Sequence, residues 1–285
     1  MKKPLKITLV IVLVLALSAG ATLAIIYFCR PKGQSRSEID VTLADNTYIE
    51  DNTKNIADCS PTESLFILAS NLKKLNSYYA CISGEVDAGI TKQTVSGEKY
   101  KLGGASLYVS RSTSSFKKTA NQIFIEADVV LVRNGDLNTN VYEDTADKYA
   151  LSDYLEEYGT DFRELSNYEL NGTTITKAEL ISAVGGKYSY RYEIDVATGV
   201  KGYRVNMYKM GGLSELPTFK KSTLEVTMTE NFMPVSVTQI DEYSVVYFGI
   251  IPIDCTSTLV EEFEKINDDT VEIPEAEFFK SKLDG

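Results

Sequence analysis

Carboxylates and amides gather between residues 136 and 147, where Asp136, Asn138, Asn140, Asp144 and Asp147 occupy positions 1, 3, 5, 9 and 12 of a calcium-type loop. Oxygen donors at that spacing suit a hard divalent cation. The match is incomplete, because Val141 stands where the loop's sharp turn takes glycine and Asp147 where a bidentate glutamate belongs. Paired acids at Glu156-Glu157 and Glu261-Glu262 are the candidates for carboxylate acid–base chemistry. Neighbours on a strand point to opposite faces, however, and neighbours on a helix surface mainly solvate it. Neither pair implies an enzyme.

Histidine is absent from all 285 residues. Serine triads and histidine-containing zinc sites are thereby excluded. The cysteines are Cys29, Cys59, Cys81 and Cys255. Cys59 and Cys81 bracket an expected helix over residues 61–76, about 24 Å long, and a strand folding back recovers only about 10 Å. That leaves them beyond the roughly 7 Å a disulfide spans. Cys255 shares the apolar parity of Ile253, Leu259 and Phe263, and Cys81 the polar parity of Ser83 and Glu85. The net charge of −11 and pI near 4.7 argue against nucleic acid, whose phosphates draw clustered Lys and Arg. No cofactor is implied.

The elements that must position any site begin with the membrane. Lys2, Lys3 and Lys6 precede an uncharged run over residues 7–28, closed by Arg30 and Lys32. Such a run makes a helix of about 33 Å against a hydrocarbon core of about 30 Å. It reads as a single transmembrane anchor in preference to a cleaved signal peptide, for which Ala19-Gly20-Ala21 offers a processing site. A lipidated Cys29 is disfavoured by bulky Tyr27-Phe28 before it. The expected location is the cell membrane, single-pass, with the main domain outside the cytoplasm.

Ser60-Pro61-Thr62-Glu63 is a helix start with a capping box, and Leu65, Leu68, Ala69, Leu72 and Leu75 then recur at helical spacing. Strands follow. Residues 78–90 alternate, residues 123–132 form an apolar strand, and Tyr188 to Val196 places Tyr188, Tyr190, Tyr192 and Ile194 opposite Ser189, Arg191, Glu193 and Asp195. Period two means one wet and one dry face. Leu224, Val226 and Met228 repeat it, and residues 243–248 and 253–263 complete the sheet. Turns are expected at Gly103-Gly104, Asn134-Gly135, Asn171-Gly172 and Gly185-Gly186; Asn171-Gly172-Thr173 also matches a glycosylation acceptor. Val200, Tyr203, Met207 and Met210 shift to helical spacing before Gly211-Gly212. The fold class is α+β: a large curved antiparallel sheet, or half-barrel, packed by an N-terminal helix and an inserted helix. The chain divides into an anchor or signal (1–32), a polar acidic linker (33–59), an extracytoplasmic β-rich domain (60–264) and an acidic flexible tail (265–285), within which residues 275–283 can form a short helix.

This element order, with the late hairpin Leu224-Glu-Val-Thr-Met-Thr-Glu-Asn-Phe-Met-Pro-Val-Ser-Val237, resembles the lipoprotein-carrier family and its lipid-binding lipoprotein relatives over residues 60–264. The resemblance implies an apolar cavity between sheet and helices that holds a lipid or another apolar small molecule. Leu65, Leu68, Leu72, Tyr188, Tyr190, Tyr192, Val200, Tyr203, Met207 and Met210 would line it. The residues equally allow a non-enzymatic cell-surface interaction or structural protein with a filled core and a protein partner. The two readings divide on the space between the sheet's apolar face and the Met207/Met210 helix.

Overall fold

The computed structural model describes residues 45–283 apart from 52, 90, 115–117, 140 and 248–250. The expected anchor, Cys29 and Asn140 lie outside the described residues, among which no helix is long and apolar enough to cross a membrane. Strands β1 (Ser77–Asp87), β2 (Lys92–Leu102), β3 (Ala105–Ser114), β4 (Lys118–Glu126), β5 (Val129–Asp136), β6 (Val141–Tyr142) and β7 (Asp147–Ala150) come first. After them come β8 (Ile175–Val184), β9 (Lys187–Ile194), β10 (Thr218–Thr229), β11 (Pro234–Tyr247) and β12 (Ile251–Ile266). Together they make one antiparallel sheet in the order β6-β5-β4-β3-β2-β1-β12-β11-β10-β9-β8, with β7 also on β5. Two meanders therefore spread outward from the β1–β12 pair. The sheet stays open, ending at β6 and β8, in keeping with an α+β half-barrel.

Helix α1 (Pro61–Lys74) starts as its sequence dictates: Ser60 Oγ accepts from the Glu63 amide, and Glu63 reaches back to the Ser60 amide. Its apolar face packs Leu65, Leu68 and Leu72 on the inner face of the sheet. There Tyr188, Tyr190 and Tyr192 of β9 stand opposite Met228, Val226 and Leu224 of β10, so the two strongest alternating stripes meet. Helices α2 (Leu151–Tyr158) and α3 (Lys201–Gly211) follow. Gly212 ends α3 in the left-handed conformation at φ 62°, the role its position suggests. A side chain on Gly202 would meet the Gly159 carbonyl at 2.1 Å, so α2 runs directly into the start of α3.

Four expectations are corrected. Residues 123–132 are a hairpin, because Ala127 takes a positive φ of 50° and turns β4 into β5. Asn134-Gly135 lies within β5; its glycine is required because the Tyr142 ring lies 2.6 Å from where a Cβ would stand. The linker expected over 33–59 is part of the domain from residue 45 onward: Thr47 donates to Leu170 O (2.8 Å), Ile49 to Phe66 O (3.2 Å), and Ile56 is buried. The expected flexible tail over 265–285 is instead an arm on the outer face of β2–β5. Its helix α4 (Ala276–Leu283) stacks Phe279 on Phe124 with ring centroids 4.8 Å apart, and Glu275 accepts from Arg133 (3.0 Å) and Gln122 (2.8 Å). The acidic composition around Phe278-Phe279 conceals that apolar anchor.

Candidate functional site

The residues proposed to line a cavity come together. Leu65, Leu68, Leu72, Tyr190, Tyr192 and Val200 are buried in one cluster, and Tyr188, Tyr203 and Met207 pack against it. Met210 belongs to a neighbouring cluster with Ile123, Ile125, Val130, Val132, Tyr154 and Phe162. The Tyr192 hydroxyl donates to Pro61 O at 2.8 Å. Tyr203 sits between the Tyr168 and Phe219 rings at 6.0 and 5.5 Å. Side chains of sheet and helices thus meet across this space. Two open clefts lie elsewhere, one of about 300 Å³ over charged residues on the outer face of β8–β11 and one of about 160 Å³ beside Arg111 and Tyr142.

The candidate calcium loop is dispersed. Asp136 accepts from the Asn138 amide (2.7 Å) and its side chain (2.9 Å), closing a turn. Asp144 is exposed, and Asp147 opens β7 opposite Val132. Among the described residues no three acidic or cysteine side chains are grouped to hold a metal. Asn171 closes the turn before β8, accepting from Thr173 N (2.8 Å), Thr173 Oγ1 (2.7 Å) and Thr174 N (3.1 Å). Cys59, Cys81 and Cys255 are free thiols, with Cys255 buried. Burial pushes the Cys255 thiol up to about 11.

The acid pairs separate. Glu157 of α2 binds Lys209 of α3 at 2.8 Å. Glu262 is exposed, whereas Glu261 is buried on the inner face and paired with Lys99 at 2.6 Å. Burial raises the Glu261 carboxyl above the usual range, against the pull of Lys99. A second buried acid lies nearby. Ser222, Asp241 and Ser257 align across β10, β11 and β12. Asp241 Oδ1 accepts from Ser222 (2.6 Å) and from Tyr168 (2.8 Å), while Oδ2 has no partner. Burial pushes Asp241 up to about 6, opposed by the hydroxyls of Ser222, Tyr168 and Ser257. Asn167 donates to Gln239 at 3.2 Å. Gln239 and Asp241 thus hold a polar seam beneath the segment over residues 161–170, and the Lys99–Glu261 pair lies on the same face of the sheet. Sequence parity signals it, since Asp241 falls in phase with Val237 and Tyr243, and Glu261 with Cys255 and Phe263.

The other notable surface is an edge. Five large apolar side chains are exposed among the described residues, and three lie on β8: Leu180 (51 %), Ile181 (46 %) and Val184 (77 %). β8 is the last strand of the sheet, so the backbone donors and acceptors on its outer side are unpaired by any described strand. Register shifts at Ile175/Lys177 and Leu180/Ser182 leave a regular stretch between them.

No family model and no curated protein matches this chain. Among solved structures it is similar to a DUF1329 family protein from Desulfovibrio piger, at 11 % identity and TM-score 0.29, over 79 % of this chain and all of the other. It also aligns with MucB, solved in complex with MucA(peri), at 11 % identity and TM-score 0.14, over 72 % of this chain and 94 % of the other.

Proposed function

We propose that this is a non-enzymatic interaction domain that binds an extended protein segment along the free edge of β8, held outside the cytoplasm by the apolar run over residues 7–28. The observation that carries this reading is Leu180, Ile181 and Val184 exposed on an unpaired edge, while the residues for a lipid cavity pack against one another. Main-chain hydrogen bonds along such an edge supply affinity, and alternate side chains supply selectivity. Apolar exposure on an edge is costly to keep without a use, because it invites aggregation.

Selection from a library of random peptides tests the reading. Binders are expected to carry alternating apolar residues, and to lose binding to Ile181→Asp and Val184→Asp variants whose circular dichroism is unchanged. Binders that map elsewhere, or stoichiometric lipid co-purifying with the chain by mass spectrometry, would return the function to the cavity.

A further inference from the structure

We propose that the partner on this edge is a second copy of the same chain, paired antiparallel through β8 about a two-fold axis at Ala178. The inference rests on the edge-binding reading above and adds the identity of the occupant. In an isologous pair of antiparallel strands, opposed residues share a face and their positions are symmetric about the axis. On the outer face β8 carries Lys177 and Glu179, opposite Glu193 and Arg191 of β9. An axis at Lys177 would set lysine against lysine, and an axis at Glu179 glutamate against glutamate. An axis at Ala178 sets Lys177 of each copy against Glu179 of the other, twice. It also places a small side chain at the closest approach.

Three further features agree with this register. The regular stretch of β8 runs from Lys177 to Leu180 between its two register shifts, so the Lys–Glu pairs fall on its straight part. Glu179 is the only acidic residue of β8 from Ile175 to Val184 in a chain of net charge −11, so this register sets no acid against another along the edge. Within one chain the Lys177 ammonium lies 2.9 Å from Glu179 and 3.6 Å from Glu193, and Arg191 lies 3.6 Å from Glu179. These are exposed pairs, Lys177 at 53 % and Glu179 at 40 %, which exchange for pairs with a facing copy at little cost. Exposed pairs select a register more than they create affinity. An edge contact of so few residues sits at the small end of interfaces, so the dimer is weak and reversible.

Sedimentation of the full chain in density-matched detergent at up to about 100 µM, a range suited to weak interfaces, tests this. The natural chain is expected to dimerise reversibly. K177E and E179K should each weaken the dimer roughly five- to thirtyfold, because opposed pairs become like charges. An equimolar mixture of K177E with E179K, and the double variant K177E/E179K alone, should recover the natural affinity. A monomer throughout, or single variants that dimerise like the natural chain, overturns the proposal. If peptides still bind β8 in that case, the edge reading stands and only the second copy is rejected.

Discussion

Asp241→Asn isolates the energetic consequence of one buried carboxylate. Its side chain is 1 % exposed, and burial raises it from 3.8 to about 6. A group raised on folding prefers to be protonated in the folded state. Its stabilising contribution is therefore complete below pH 3.8 and is lost as the pH rises through about 6. The full span is about 3 kcal/mol, of which roughly 1.4 kcal/mol is developed between pH 8 and pH 5. Asparagine keeps the carbonyl that Ser222 and Tyr168 address and removes the titration. Glu261 and Glu169 are also raised by burial, but they are common to both proteins and cancel in the difference. The assay is urea unfolding followed by circular dichroism, since the chain has no tryptophan. The variant's stability relative to the natural protein should fall by about 1.4 kcal/mol from pH 8 to pH 5. A difference that stays constant across that interval refutes the assignment of Asp241 as a desolvated acid.

Lys99→Met should destabilise the domain by about 3–5 kcal/mol by leaving Glu261 unpaired in the interior, and adding Glu261→Met should recover most of the loss. A double-mutant cycle checks this, and simple additivity of the two changes would sink it. Phe279→Ala removes the ring stacked on Phe124 and should cost up to roughly 3–5 kcal/mol of arm docking. Hydrogen exchange should quicken over residues 267–283 and leave α1 unchanged; unaltered exchange in the arm would exclude Phe279 as its anchor.

What could be read from the sequence was local and periodic. The capping box at Ser60 and Glu63, the tyrosine stripe of β9 and the glycine stop after α3 each express a single-element rule, and each appears as read. Long-range features were harder. Only the charged Glu126-Ala127-Asp128 interruption marks the β4–β5 turn within residues 123–132, because alanine rather than glycine carries the positive φ and the flanking strands are apolar on both faces. The β1–β12 pairing joins the two ends of the domain and has no local signature. Residues 175–184 alternate poorly because two register shifts break their parity, so the edge strand carries no clear period-two signal. The acids of the polar seam are visible only as charges in phase with an apolar stripe.

The seam bears on function through its cost. Lys99 and Glu261 face each other across β1, between the cluster under α1 and the cluster under α2, and each side chain is only 10 % exposed. Desolvating such a pair costs several kcal/mol per ion, offset only where geometry and extra hydrogen bonds are favourable. Asp241 pays its desolvation with hydroxyls from the covering segment and the adjacent strand. The hydrogen bonds of Asn167 to Gln239 and of Tyr168 to Asp241 hold the segment over residues 161–170 in one place on the sheet, because a slip would break them while their acceptors stay buried. An acyl chain admitted beneath that segment would put hydrocarbon against Gln239 and Asp241, where the displaced hydrogen bonds of Asn167 and Tyr168 are lost without replacement. Buried hydrogen bonds to the covering segment therefore count against hydrocarbon at that point of the interior, which is in keeping with the recognition proposed at the β8 edge.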